Sequence, residues 1–173
     1  MITHLKAPAE IRAMPWSPPK LGYLIGIGCV RATAGGMVLG AAYGASAVIV
    51  VLATINPAVN AVGCAIGALV GGWLGFIAGT AAGILLSPLV ARVVTTRCAN
   101  RHNVATVADR AFITGTFLTG LLAAVLLAIV EAFPAMTRPN YFIPVSIAVM
   151  YGGFWARGVV YSGARRQLKD PSA

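Results

Sequence analysis

Four long apolar stretches, separated by short polar segments, dominate the chain. They cover about residues 32–55, 61–90, 111–133 and 141–161. A helix that crosses a bilayer needs about 20 mostly apolar residues, and each stretch meets that length. The pattern therefore predicts an all-α, polytopic integral membrane protein with four transmembrane helices.

The remaining segments are polar or basic and set the expected domain organisation. Residues 1–20 form a basic N-terminal arm, residues 21–161 hold the four-helix membrane domain, and residues 162–173 form a basic C-terminal tail. The arm lacks the apolar core that a secretory signal needs. We therefore expect the membrane spans themselves to carry any targeting information.

Glycine recurs at every fourth position of the second stretch, at Gly63, Gly67, Gly71, Gly75, Gly79 and Gly83. A shorter series in the first stretch comprises Gly36, Gly40 and Gly44. Glycine inside a soluble helix costs about 1 kcal/mol relative to alanine. In a membrane, small residues at this spacing let two helices approach closely. The two series therefore predict glycine-zipper packing between membrane helices.

The longer series also turns around its helix. Residues four apart differ by about 400°, so the stripe drifts by about 40° per step, and Gly63 and Gly83 point about 200° apart. Either a partner helix wraps in a right-handed crossing, or the second span meets different neighbours at its two ends. We favour the second geometry, which makes this span a central helix. We expect Trp73, which lies among the glycines, to fill the groove that they leave.

Charge predicts the orientation of the bundle. The chain has 13 Lys and Arg against 4 Asp and Glu, for a formal net charge of +9. With four spans, every basic residue except Arg138 falls on the side that holds both termini and the middle loop. The positive-inside rule then places both termini on the same, positively charged side. The basic residues are separated by apolar spans, so they do not form the continuous basic stripe typical of nucleic-acid binding.

Seven arginines are candidates for contacts with anionic lipid or with a partner protein. They are Arg31, Arg92, Arg97, Arg101, Arg157, Arg165 and Arg166. Among them Arg31 lies about one turn from the predicted start of the first span, where its long side chain can reach the membrane interface.

Other residues are expected at the ends of the spans. Trp16 and Trp155 lie where the membrane interface should be, a position that favours aromatic anchors. Thr106 and Asp109 have the spacing of a capping box, which predicts that they open the third span.

No group of residues in the sequence carries recognisable catalytic chemistry. His4 and His102 lie outside the predicted spans, and no acidic residue lies deep within one. Cys98 and His102 have helical spacing, but two ligands do not make a structural metal site. The chain also lacks a CxxC pair. We therefore expect a protein that is not an enzyme and that holds no metal or cofactor.

A glycine-containing pattern leads into the third span, where Asp109 is followed by Ile113-Thr114-Gly115 and Leu118-Thr119-Gly120. It resembles the signature of the mitochondrial Tim-type translocase family, which includes an accessory subunit of respiratory complex I. Ala105 stands where that family has an arginine, and the glycine spacing differs. The resemblance covers about residues 21–161 and implies a four-span fold in the mitochondrial inner membrane. It also implies termini in the intermembrane space, the opposite side from the one that the charge rule favours.

These observations lead to one expected function and two open alternatives. We expect a non-enzymatic structural or accessory subunit of a multi-subunit membrane complex, and the resemblance points to a respiratory complex of the complex I type. Its expected partners are other membrane subunits and anionic phospholipid. The first alternative is a transport protein, either a component of a protein-translocation channel or a homo-oligomeric pore. The second is a small bacterial inner-membrane protein.

Overall fold

The computed structural model describes residues 9–52, 57–96, 103–131 and 142–169. In these ranges it contains five helices: α1 Ala9–Ala13, α2 Leu21–Leu52, α3 Pro57–Thr96, α4 Val104–Glu131 and α5 Phe142–Lys169. An isolated antiparallel bridge joins Pro15 to Asn103. The predicted all-α class is confirmed for the described part of the chain.

Within the described residues, three helices are long and apolar enough to cross a membrane, and the segments concerned are Leu21–Ile49, Ala61–Thr96 and Val104–Val125. Their length and composition indicate a membrane location. Helix α5 has 28 residues, but its second half carries Arg157, Arg165 and Arg166, which lower its apolar character.

Helix α2 begins well before the first predicted span. It starts at Leu21, where the Lys20 carbonyl accepts hydrogen bonds from the backbone N–H groups of Tyr23 and Leu24. Arg31 was expected near a helix end but lies inside α2, about 15 Å from its first residue. A single arginine does not interrupt the helix because it is a good helix former.

Helix α3 is longer than the second predicted span. It runs to Thr96 and contains Pro88. Its 40 residues give a length of about 60 Å, roughly twice the hydrocarbon thickness of a bilayer. The apolar run ends near residue 90, yet the helix continues through Arg92, because a change in polarity does not break backbone hydrogen bonds.

The predicted capping box at the start of α4 is wrong. The side-chain oxygen of Asn103 accepts hydrogen bonds from the Thr106 backbone N–H at 3.0 Å and from its hydroxyl at 2.7 Å. Asn103 is therefore the N-cap, Thr106 is the third helical residue, and Asp109 lies inside the helix. Asparagine caps a helix at least as well as threonine, and here it occurs three residues earlier.

The chain divides into two compact units. Within the described residues, unit 1 holds α1, α2 up to Gly28, α3 from Leu86 onwards, α4 and α5. Unit 2 is Cys29–Leu85, a hairpin made of the remaining parts of α2 and α3. Unit 1 holds the largest fully buried side chains, which are Trp16, Leu24, Val90, Val94, Val104, Val107, Val160 and Ser87.

Candidate functional site

The hairpin of unit 2 brings the two glycine series into contact. A Cβ atom placed on Gly36 would lie 2.8 Å from Gly79 Cα, and one on Gly40 would lie 2.8 Å from Gly75 Cα. Cβ atoms in real proteins essentially never approach another atom this closely. Alanine therefore fits at neither position unless the two helices move apart, and the helix backbones touch because these residues are glycines.

The contacts follow one antiparallel register, in which each α2 glycine faces two α3 glycines one turn apart. The pairs are Gly36 with Gly75 and Gly79, Gly40 with Gly71 and Gly75, and Gly44 with Gly67 and Gly71. Next in the series, Ala32 faces Gly79 and Gly83. The predicted packing glycines of α2 and five of the six on α3 thus lie in one interface. Gly63 is half-buried near the start of α3.

This register corrects the expected geometry of the longer series. The glycines from Gly67 to Gly83 all face α2, so one partner helix serves these five glycines, whereas we expected the series to be divided between two neighbours. The reason is that α2 carries its own four-residue series with the same drift. Two stripes that turn in the same right-handed sense stay in contact when the helices cross in that sense, which was the alternative that we did not favour.

A hydrogen bond between threonines crosses the same interface. The hydroxyl oxygens of Thr33 and Thr80 lie 3.1 Å apart. The Thr80 hydroxyl donates to the Phe76 carbonyl at 2.8 Å. Because a hydroxyl has one proton, Thr33 is the donor in the bond between the two threonines. This bond was not predicted, since the sequence alone does not place these residues opposite each other.

The outer surface of unit 2 carries its large apolar side chains. The exposed ones on α3 are Val62, Ile66, Leu69, Val70, Trp73, Leu74, Phe76, Ile77, Ile84 and Leu85. Trp73 is 68% exposed and packs edge-to-face on Phe76 with ring centroids 5.9 Å apart. The expectation that Trp73 fills the glycine groove is wrong, because the backbone of α2 already occupies that groove.

Two tryptophans that were expected as interface anchors are instead core residues of unit 1. Trp16 is 1% exposed, and its indole N–H donates to the Val94 carbonyl at 3.3 Å. Trp155 is 4% exposed, and its indole N–H donates to the Gly28 carbonyl at 2.7 Å. Each indole therefore joins two segments that are distant in sequence.

The segment before α2 is also attached to the start of α4. The backbone N–H of Val104 donates to the Met14 carbonyl at 2.9 Å, next to the bridge between Pro15 and Asn103. Together with the burial of Trp16, these contacts show that residues 14–16 pack against the helices. This part of the predicted basic arm is an ordered element of unit 1.

Helices α4 and α5 form a second interface of small residues in unit 1. A Cβ atom on Gly115 would lie 2.6 Å from the Ala156 methyl carbon, and one on Gly153 would lie 2.8 Å from the ring of Phe112. Phe112 also packs edge-to-face on Phe154 with centroids 5.2 Å apart. Gly115, which belongs to the family-like pattern of the sequence, is therefore a packing residue between α4 and α5.

Some of the predicted contact arginines interact within unit 1. Arg157 forms an ion pair with Asp109, with a nitrogen–oxygen distance of 3.3 Å. The Arg166 guanidinium lies 4.2 Å from the ring centroid of Tyr23, within the range of a cation–π interaction. These two side chains are engaged by the chain itself.

The other predicted contact arginines have varied positions. Arg31 and Arg165 are half-buried, and Arg92 is exposed near the end of α3. Arg97 and Arg101 lie outside the described residues. Among the exposed residues of this set, Arg92 borders a groove.

That groove lies between the end of α3 and the middle of α4. It has a volume of about 380 Å³. The residues that line it are Leu89, Arg92, Val93, Thr96, Thr114 and Leu118. Arg92 was a predicted contact residue, but the groove was not predicted, because nothing in the sequence pattern indicates which face of α4 lies beside α3.

Metal-binding side chains do not cluster in the described part of the chain, where no three His, Cys, Asp or Glu residues are placed to hold an ion together. Cys29 and Cys64 are half-buried. Cys98 and His102 fall outside the described residues.

In the part of the chain that the structure describes, these features define an all-helical fold with three helices of membrane-spanning length and two interfaces of small residues. Comparison with family models, curated proteins and solved structures found no match to the chain.

Proposed function

We propose that this chain is a non-enzymatic structural subunit that packs within a multi-subunit membrane complex. The observation that carries the proposal is that unit 2 has its small residues inside and its large apolar side chains outside, the reverse of a soluble protein. Glycine backbones touch inside it, while large apolar side chains such as Leu69, Trp73 and Leu74 are exposed outside it. A contiguous apolar surface of this kind is an aggregation hazard in water. In a bilayer it faces lipid tails or other membrane helices.

The glycine contacts have a physical purpose in that environment. Lipid tails are as apolar as leucine, so hydrophobic burial does not drive helices together inside a bilayer. Close backbone approach replaces that missing force with van der Waals contact. We therefore assign glycine-zipper packing to α2 and α3.

The same contacts argue against the alternative of a transport protein whose glycine faces line a pore. The glycine faces of α2 and α3 touch each other within one chain, so they do not line a pore formed between copies. What remains for neighbours is the large apolar outer face. This distribution favours a packing role over transport.

The four-span topology is part of the proposal. A fourth crossing uses α5, where Arg157 is compensated by the ion pair with Asp109 at 3.3 Å. Both termini then lie on the positively charged side. Reporter fusions at the two ends test this topology, since an odd number of crossings would place the ends on opposite sides.

The more specific assignment, an accessory subunit of a respiratory complex in the mitochondrial inner membrane, rests on the resemblance to the Tim-type family alone. A bacterial inner-membrane location accommodates the same helices. Fractionation of native membranes distinguishes the two locations.

Purification from the native membrane in a mild detergent tests the structural role. We expect a tagged chain to elute with stoichiometric membrane partners and without activity of its own. A variant with Leu69 and Leu74 changed to glutamine disrupts the outer face but spares the glycine contacts, so it should lose the partners. A monodisperse lone monomer recovered from the native membrane would refute the proposal.

A further inference from the structure

The groove between α3 and α4 has an apolar part and a polar part. Leu89, Val93 and Leu118 supply the apolar wall, and Arg92 and Thr96 lie towards the end of α3. From Leu89 to Thr96 the helix rises by about 10 Å, roughly a third of the hydrocarbon thickness. The groove therefore combines an apolar wall with one basic side chain within about 10 Å along α3.

Arg92 is the hydrogen-bond donor that this groove offers. Its side chain is exposed. The Thr96 and Thr114 hydroxyls donate to backbone carbonyls of their own helices, at 2.7 Å to Arg92 and at 2.9 Å to Arg110. They are satisfied when the groove is empty, whereas the Arg92 guanidinium has five N–H donors.

The charge around Arg92 favours an anion. Asp109 is the only acidic side chain that the structure describes, and it is paired with Arg157. Arg110, also exposed, adds a second positive charge on α4 within one turn of Thr114. A guanidinium binds the two free oxygens of a phosphate diester in a bidentate manner.

We infer that this groove binds an anionic diacyl phospholipid, with the phosphate on Arg92 and one acyl chain along Leu89, Val93 and Leu118. The inference rests on the proposed membrane location and deepens it by naming a bound lipid. A zwitterionic lipid carries its own cation beside the phosphate, so the excess positive charge here selects a net anionic head group. The far end of that acyl chain extends beyond the groove into the surrounding bilayer.

The test uses the full-length protein in nanodiscs with equal amounts of phosphatidylglycerol and phosphatidylcholine, followed by native mass spectrometry of the lipids retained. Removing any surface arginine weakens attraction to anionic lipid by about fivefold, so charge removal does not by itself identify a site. Leu89→Trp fills the groove without changing the charge. Ile113→Trp is the matched control, since Ile113 is 67% exposed on α4 and lies outside the groove.

We expect the wild-type protein to retain phosphatidylglycerol in preference to phosphatidylcholine. Leu89→Trp should lower that ratio at least about fivefold, the loss expected when one arginine–phosphate contact is broken. Arg92→Gln should lower it by as much or more, and Ile113→Trp should leave it unchanged. Circular dichroism and elution volume establish that each variant is folded.

Two results would overturn the inference. The first is equal retention by Leu89→Trp and Ile113→Trp, which would show that only the general positive charge attracts lipid. The second is a photo-crosslinker at Leu89 that captures a membrane protein instead of phospholipid in native membranes, which would make the groove a protein interface. Neither result depends on the purification of partner subunits, so the lipid site and the structural role succeed or fail separately.

Discussion

A single methyl group added to the glycine interface tests the packing of unit 2 directly. Gly71 and Gly72 are neighbours on α3, but only at Gly71 would an added methyl group lie too close to the backbone of α2. A Cβ atom on Gly71 would lie 3.0 Å from both Gly40 C and Gly44 Cα, whereas one on Gly72 would lie 3.6 Å from the Ala41 methyl carbon. Gly71→Ala should therefore separate the helices, and Gly72→Ala should not.

The size of the effect follows from these distances. Ordinary contact begins at 3.4 Å, and the Gly40 carbonyl oxygen would lie closer to the new methyl group than the two atoms at 3.0 Å, so α2 and α3 must separate by more than about 0.4 Å around Gly71. A gap of about 0.5 to 1 Å already loses a quarter to a half of each dispersion contact. Overpacking of this kind costs about 1–3 kcal/mol. Both variants gain the same helix propensity of about 1 kcal/mol from alanine, so their difference isolates the contact.

The free energy of unfolding is measured in mixed micelles with fluorescent labels at Val38 and Leu74, both exposed, in a background without cysteine. We expect Gly71→Ala to be less stable than Gly72→Ala by about 1–3 kcal/mol. A loss of about 2 kcal/mol in the free energy of unfolding lowers the ratio of folded to unfolded protein roughly thirtyfold. Equal stability of the two variants would show that the helix backbones are not in contact.

Three further changes test individual contacts, each by the free energy of unfolding in the same micelles. Thr33→Val should cost about 0.6–2 kcal/mol, and a double-mutant cycle with Thr80→Val should assign the loss to their hydrogen bond; additive effects would contradict it. Trp155→Phe removes an indole donor and should cost about 1 kcal/mol, whereas Trp73→Phe, at an exposed ring, should change stability less. Trp16→Ala empties a buried site and should cost about 3–5 kcal/mol, so a change below 1 kcal/mol would show that this indole is not in the core.

The sequence predicted the helical class because a long apolar run in a bilayer must satisfy its backbone hydrogen bonds internally, which a helix does. It predicted the helix boundaries less well. Arg31 and Arg92 end apolar runs, yet both lie inside helices, because backbone hydrogen bonding is indifferent to the polarity of one side chain. The N-cap at Asn103 was missed for a related reason: several polar residues near a helix start can cap it, and tertiary contacts at Met14 and Pro15 fix which one does.

The glycine spacing predicted which residues make close contacts but left their partner open. A drifting stripe on α3 is compatible with one wrapping partner or with two partners. The deciding signal was present in the sequence, since Ala32, Gly36, Gly40 and Gly44 give α2 a matching drift. No such signal existed for Trp16 and Trp155, because a tryptophan beside an apolar run looks the same whether it faces lipid or a buried carbonyl.

The contrast between the two units shows why composition alone misassigned those tryptophans. Unit 2 is held by van der Waals contacts that do not depend on the hydrophobic effect, since its glycine backbones touch and its large side chains remain outside. Unit 1 buries its large side chains, and its two indoles are satisfied by backbone carbonyls. A buried indole without a partner is costly, so the acceptors at Val94 and Gly28 are what allow these rings to enter a core. A tryptophan near a predicted span should therefore be assigned to the membrane interface only after such acceptors have been excluded.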